Sequence, residues 1–396
     1  MGWKVNKLDS LLKIQNGYAF DSKKFVDSGG LPLIRIRDIS NGFGTVVNYD
    51  GDYDEKYRVI KGDFLIGMDG EFRCYEWKGD DALLNQRVCR LQEFSEELYP
   101  RFLFYGINKY LKDIEDVTSF TTVKHISARQ IKEIEFPLPS TSEQKRIVTI
   151  LDQAFTDIEQ ARAKTEQNLK NARELFVSYL QQVFSSRGEG VIELPLSEIT
   201  ESISDGDHAA PPKSEDGIPF ITISNINKLT NEIDFTNTFK VPESYYSALK
   251  ITRKPLQGDV LYTVTGSYGI PVIVKEEKEF CFQRHIGLVR PNNNTDSNWL
   301  YYLLMSPQVF KQADEGATGT AQKTVSLKLL RSLRVPKVPL KEQVNMVEGL
   351  NFMHQKSKQL TEIYTRKLES LDELKKSILQ KAFSGELSKD KEGAAA

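Results

Sequence analysis

The stretch Glu143–Ser185, EQKRIVTILDQAFTDIEQARAKTEQNLKNARELFVSYLQQVFS, decides the fold. Ile147, Leu151, Ala154, Ile158, Ala161, Thr165, Asn168, Ala172, Leu175, Tyr179 and Val183 recur at alternating spacings of four and three. That is the heptad seam of one long helix that needs a partner helix. No proline or glycine interrupts it, so nothing in the sequence breaks the helix. At 1.5 Å per residue such a helix is roughly 60 Å long.

The partner lies in the same chain. At one constant offset, Ile126–Ser185 falls on Val325–Ser384 without a gap. Pro137 meets Pro336, Glu143-Gln144 meets Glu342-Gln343, Leu175 meets Leu374, and Phe184-Ser185 meets Phe383-Ser384. The seam carries over as Met346, Leu350, Met353, Ser357, Leu360, Tyr364, Lys367, Leu371, Leu374, Ile378 and Ala382. A single offset sustained over such a length marks an internal duplication. The order is then domain, helix, domain, helix. For the second helix to bury its seam on the first it must run back along it. The expected fold is therefore mixed α/β (α+β): two globular domains of strands and helices separated by two long antiparallel coiled-coil helices, with a pseudo-two-fold internal repeat. The expected boundaries are 1–142 for the first domain, 143–187 for the first helix, 188–341 for the second domain, 342–385 for the second helix, and 386–396 for a C-terminal tail.

A length of 396 residues with 39% hydrophobic content, 21 Phe and 16 Tyr suits ordinary packed cores. Cys74, Cys89 and Cys281 are odd in number and far apart, which excludes a disulfide framework, and no Cys-x-x-Cys pair suggests zinc. No apolar run reaches the length of a membrane span, and MGWKVNKLDS lacks the apolar core of a signal peptide, so a cytoplasmic protein is expected. Lys+Arg 53 against Asp+Glu 55 gives a net charge of −2, so composition by itself offers no support for nucleic-acid binding. Locally, Val325–Lys341 carries Lys328, Arg331, Arg334, Lys337 and Lys341 without an acid.

The two domains echo each other more faintly. Leu31–Ile39, LPLIRIRDI, matches Ile218–Ile226, IPFITISNI, and both alternate like strands. Ile34 and Ile36, or Ile221 and Ile223, mark one face; Arg35 and Arg37, or Thr222 and Ser224, mark the other. A Gly-Asp turn into an apolar strand follows in each (Gly62-Asp63, Gly258-Asp259), then Gly70 or Gly266, then the dipeptides Gln86-Arg87 or Gln283-Arg284. Helical aromatic segments, Leu98–Tyr110 and Trp299–Phe310, close each domain. The apolar frame is shared and the outward polar positions differ, as in two readers of different ligands on one scaffold. Surface drift gives the same pattern.

Motifs for chemistry are missing. Gly319–Thr324 lacks the glycine before lysine of a phosphate-binding loop, and Pro211-Pro212 does not sit in the Asn/Asp-Pro-Pro-aromatic loop that holds a flipped base. The histidines 125, 208, 285 and 354 show no metal spacing, and Asp205-Gly-Asp-His208 reads first as a turn. No catalytic residue and no metal ligand is assigned.

Phe136–Val148, FPLPSTSEQKRIV, leading into a long helix, resembles the conserved region of the specificity (S) subunits of type I restriction–modification enzymes. Lys381–Leu387, KAFSGEL, is similar to their usual ending, and the Gly-Asp and Gln-Arg markers resemble their target-recognition domains. The central copy departs, reading FSSRG at Phe184–Gly188 where the chain continues into the second domain. The resemblance implies a non-catalytic DNA-binding subunit. Each domain reads one half of a bipartite double-stranded site, and the helices fix the gap and dock two modification (methyltransferase) subunits. No cofactor is expected on this chain. S-adenosylmethionine, ATP and Mg belong to the partner subunits, which include a restriction/translocase subunit in complete systems. Docking is placed on the helices, at Ile147, Leu151, Leu175, Leu350, Leu371 and Leu374.

Base readout needs donors and acceptors at base edges. In the first domain, Lys23, Lys24, Arg35, Arg37, Arg73 and Lys124 are the candidates. In the second they are Lys213, Thr222, Asn225, Ser267, Tyr268, Gln322 and Lys323, on outward strand positions or Gly-rich loops. Two other classes are tested against this one: a stand-alone nuclease or methyltransferase, which acts on DNA unaided, and a structural adaptor whose domains bind protein.

Overall fold

The heptad stretch folds as one uninterrupted helix, Thr141–Ser185, and its copy as another, Leu340–Phe383, in a computed structural model that describes residues 3–39, 47–118, 124–185, 192–206, 208, 210–228, 230–320 and 322–389. The first helix starts two residues before the expected Glu143, because Ser140 Oγ accepts from the Glu143 N–H at 3.4 Å and its carbonyl takes the Gln144 N–H. The chain divides into two compact units, residues 1–164 with 368–396, and residues 165–367. Each unit therefore holds a segment of both helices.

In the first unit the two segments run antiparallel. Arg162 pairs with Asp372, Lys375 Nζ lies 2.9 Å from Glu159, and Arg146 Nη2 donates to the Leu387 carbonyl at 2.6 Å. Their apolar faces join the domain core: Ile147, Val148, Leu151 and Ala382 are buried with Phe102, Ile107 and Phe136. Phe383 sits against Phe102 and Phe136, with ring centroids 4.9 and 6.1 Å apart. In the second unit Ser357 Oγ donates to the Ala172 carbonyl at 2.6 Å and His354 stacks on Phe176 at 4.6 Å, again antiparallel. Phe176, Leu180, Phe184, Val347 and Leu350 share a core with Trp299 and Leu303.

The seam differs from expectation in one respect. Leu175 and Leu374 stand 41% and 47% exposed, whereas Phe176 is 6% exposed, and Lys367 is exposed where Leu368 is half-buried. From Ala172 onward the buried positions are 172, 176, 180 and 184, a spacing of four. A heptad repeat averages 3.5 residues per turn against 3.6 for a straight helix. Here the helix also packs on the domain itself, and Trp299 and Tyr302 draw Phe184 and Phe176 inward.

Each domain is built on a four-stranded antiparallel sheet of one topology. In the first the order is Lys13–Asn16, Val88–Gln92, Phe64–Gly67, Cys74–Glu76; in the second it is Thr200–Asp205, Ile286–Pro291, Val260–Thr263, Pro271–Ile273. A smaller sheet adjoins it, holding a parallel pair in each copy: Ile34 opposite Leu84, and Ile221 opposite Phe282. Helix Pro100–Val117 covers the first large sheet with Phe102, Leu103, Gly106, Ile107 and Leu111, a helical stripe. The corresponding cover in the second domain is two helices, Ser297–Met305 and Pro307–Gly316, not one. Pro307 cannot donate within a helix, and Ser306 caps the new one through the Val309 N–H.

The expected strand over Leu31–Ile39 stops at Ile34, and its counterpart stops at Ile221. A side chain three residues on turns the backbone in both. Asp38 accepts from the Arg35 N–H at 3.0 Å, and Asn225 from the Thr222 N–H at 2.9 Å. Short helical turns, Ile36–Ile39 and Ile223–Asn225, follow. Capping by Asp or Asn competes with strand pairing and wins here.

The Gly-Asp turns behave as read. Gly62 and Gly258 have φ of +96° and +90°, a conformation that favours glycine. Asp63 and Asp259 close the turns by accepting from the N–H three residues back, and each is held by an arginine of the neighbouring strand, Arg90 at 2.9 Å and Arg290 at 2.8 Å. Among the described residues no helix is long and apolar enough to cross a membrane.

Candidate nucleic-acid interface

Three segments meet at one end of the two central strands of each large sheet and are braced by the same backbone hydrogen bonds. In the first domain Met68 N–H donates to the Arg87 carbonyl, Ile126 N–H to Met68, and Gly70 N–H to Lys124, at 2.9–3.0 Å. In the second, Val264 N–H donates to the His285 carbonyl, Val325 N–H to Val264, and Gly266 N–H to Lys323, at 2.8–3.2 Å. Buried Met68, Val88 and Ile126, or Val264, Ile286 and Val325, fasten each platform to its core. Gly70 and Gly266 take φ of +80° and +72°, which turns the loop back across the platform.

This bracing fixes a correspondence that sequence matching misplaces by one residue. Val88 N–H donates to the Asn85 carbonyl and Ile286 N–H to the Gln283 carbonyl. Asn85 thus corresponds to Gln283, Gln86 to Arg284, and Arg87 to His285; the two Gln-Arg dipeptides are not equivalent. On one backbone the first domain presents Asp69, Gln86, Arg87, Lys124 and His125. The second presents Arg284, His285, Lys323 and Thr324, with Thr265 buried beneath them.

The electrostatics of the two platforms differ accordingly. In the first, Asp69 forms an ion pair with Arg87 at 3.3 Å and lies 2.6 Å from His125 Nδ1. Lys124 Nζ donates to the Glu115 carbonyl at 2.6 Å. In the second, Thr324 Oγ1 meets Thr265 Oγ1 at 3.4 Å. Beside it opens a groove of about 310 Å³ lined by Asp205, His208, Thr265, Arg284, His285 and Ser326 among others. His208 Nε2 stands 2.8 Å from Asp205, which also takes Arg253. Lys323 and Tyr268 both engage Asp314; these hydrogen bonds hold the Asp314 carboxyl below its ordinary range and raise the lysine and the phenol.

Of the candidates read from the sequence, Lys124 lies on the first platform; Ser267, Tyr268, Gln322 and Lys323 gather at the second. Ser267 Oγ accepts from Lys228 at 2.6 Å. The others lie elsewhere. Lys23 and Lys24 are exposed on a single turn, and Arg35 is held by Asp38 at 3.0 Å. Arg37 is exposed on the turn that follows, and Arg73 pairs with Glu71 at 3.3 Å. Lys213 covers the Phe239 ring at 5.2 Å. Asn225 requires correction: it is 5% exposed, and its amide serves Thr222, Asp234 and Asn237, so it shapes a turn and presents nothing outward. Thr222 is tied to the same turn by its Oγ1 at 2.8 Å. On the helices, Ile147, Leu151 and Leu350 are fully buried within their own units and cannot meet another subunit, and Leu371 is half-buried. Leu175 and Leu374, at matching positions of the repeat, are exposed.

Asp69, Gln86, Arg87, His125, Thr265, Arg284, His285 and Thr324 were absent from the candidates. Their signal was partly visible in the glycine and Gln-Arg markers, but segments far apart in sequence make the platform. In the basic run, Arg331 and Arg334 donate to the carbonyls of Ile203 and Glu193 at 2.6 and 2.5 Å and so fasten the second domain.

One backbone frame, repeated with a different set of polar groups on each copy, defines a duplicated two-domain protein. The family described as the type I restriction modification DNA specificity domain matches the chain twice, over residues 1–169 and 195–372. The EcoBI specificity subunit of a type I restriction enzyme from Escherichia coli is 29% identical, over 97% of this chain and 86% of that protein. The MjaVIII specificity subunit of Methanocaldococcus jannaschii is 23% identical, over 83% and 80%. Two solved structures share the fold. One is a chain from work on complex assembly and conformational transition of the type I R-M system, with TM-score 0.73 and 20% identity over 96% of this chain and 97% of that one. The other is the HsdS subunit from Thermoanaerobacter tengcongensis, with TM-score 0.60 and 19% identity over 97% of each. The chain belongs to the type I restriction–modification DNA specificity family.

Proposed function

We propose that this chain is the DNA-specificity subunit of a type I restriction–modification complex. Each domain reads one half of a bipartite site, and the helix pair sets the gap between the halves. The chain itself performs no chemistry. Modification subunits bring S-adenosylmethionine and methylate the DNA; ATP and Mg serve a restriction/translocase subunit. Docking is placed at the exposed leucines, Leu175 and Leu374, which occupy equivalent places in the repeat.

The observation that carries this reading is the repeated platform: the same hydrogen-bonded backbone with different polar groups. Two contact surfaces of that kind suit two unlike half-sites. A net charge of −2 fits a subunit whose partners supply part of the phosphate neutralisation. The test is to reconstitute the chain with its modification subunits and map methylated adenines on genomic DNA. The expected result is one motif of two half-sites at a constant gap. A single undivided motif, or methylation without sequence preference, overturns the reading.

A further inference from the structure

We infer that Gln86 and Arg284, which share one backbone position, read bases: Gln86 an adenine in the half-site of the first domain, Arg284 a guanine in that of the second. This rests on the function proposed above. The position is fixed in both domains, since each residue lies between two braced neighbours. Its predecessor accepts from the N–H of Val88 or Ile286, and its successor from that of Met68 or Val264, all at 2.9–3.0 Å. Such bracing fixes the backbone point from which each side chain extends, so both reach out from the same place on the platform.

Four of the charged groups around it already have partners. Arg87 is tied to Asp69, Lys124 to the Glu115 carbonyl, Lys323 to Asp314 and Arg253 to Asp205. Gln86 and Arg284 are exposed, and among the described residues neither side chain has a hydrogen-bonding or ionic partner. Arg284 also lines the groove beside the second platform. Both end in a planar group able to make two parallel hydrogen bonds. A glutamine amide matches N6 and N7 of adenine; a guanidinium matches O6 and N7 of guanine.

The test exchanges the two residues one at a time in the reconstituted complex. Gln86→Arg and Arg284→Gln are each assayed by methylation of a DNA pool randomised within the half-sites. Arg284→Gln is expected to change the preference at one base pair of the second half-site from G·C to A·T. Gln86→Arg is expected to make the reverse change in the first. Each shift is on the order of tenfold to a hundredfold at that base pair, the range of a bidentate contact. The other half-site stays as in the parent, which also shows that the variant is folded and assembled. A uniform loss for all sequences with a reduced salt dependence makes Arg284 a phosphate contact and overturns the inference, as does an unchanged motif. If the parent complex selects no bipartite motif, the proposed function fails first, and the two failures are thereby distinguished.

Discussion

Gln144 and Gln343 are equivalent residues of the repeat, 0% and 2% exposed, and each joins a long helix to its domain. Gln144 Oε1 accepts from the Tyr99 N–H at 2.7 Å while Nε2 donates to the carbonyls of Glu97 and Pro139. Gln343 makes the same three bonds with Asp296, Asn294 and Val338. Gln144→Ala removes the partner of one donor and two acceptors at the helix–domain junction, and urea denaturation is expected to show a loss of about 1–3 kcal/mol. The cysteines give a second check. Burial raises the Cys74 thiol well above its ordinary value and pushes Cys89 up to about 12. Neither should react with a disulfide reagent at pH 8 until urea unfolds the chain. Arg73, paired with exposed Glu71, belongs to the first unit, so Arg73→Ala should weaken methylation through one half-site and leave the other unchanged. Competition assays with half-site variants measure this.

At the level of elements, the long helices bury a face that sequence spacing assigns correctly at their domain-proximal starts and misses by one residue farther along. Phe176→Ala is expected to cost about 3–5 kcal/mol, as a large buried side chain. Leu175→Ala should stay within about 0.5 kcal/mol in the isolated chain. Equal losses at the two positions would restore the original seam. The same helices are latched to their domains by tyrosines. Tyr105 donates to Asp152, and burial together with that hydrogen bond pushes its phenol up to about 12. Tyr302 donates to Asn351 at 2.8 Å, the same latch without the charge. Beside it His354 lies between Phe176 and Tyr302, and burial lowers its pKa from the ordinary 6.5. The unfolded chain therefore takes up this proton at higher pH than the folded chain. Stability conferred here is present above pH 6.5 and is lost as pH falls from there through the lower folded-state pKa. Thermal melts from pH 7.5 down to 5.5 should show a decline that His354→Phe reduces.

For the whole molecule, the expectation is that the purified chain alone transfers no label from S-adenosylmethionine to DNA and that adding modification subunits restores transfer. Affinity of the assembled complex should fall log-linearly with salt, at about −0.9 per phosphate neutralised. Activity of the lone chain would identify it as a stand-alone enzyme, against the reading from its family.

The duplication, the two helices, their antiparallel pairing and the Gly-Asp turns were legible in the sequence because they depend on local periodicity and on residues a few positions apart. The family resemblance was carried by the same contiguous segments. Less was legible of the contact surface. Asn225 and Asp38 sit in stretches that alternate like strands, yet they cap turns, and local pattern cannot rank those two outcomes. Gln86 and Arg284 differ in sequence neighbours, and their equivalence emerges from hydrogen bonds to strands and loops remote along the chain. Sequence by itself determined the repeated architecture, since helix periodicity and a constant offset are one-dimensional facts. Which polar groups meet, and which of them remain without a partner, was decided by tertiary structure, because a contact surface assembled from separate segments exists only once the core has brought them together.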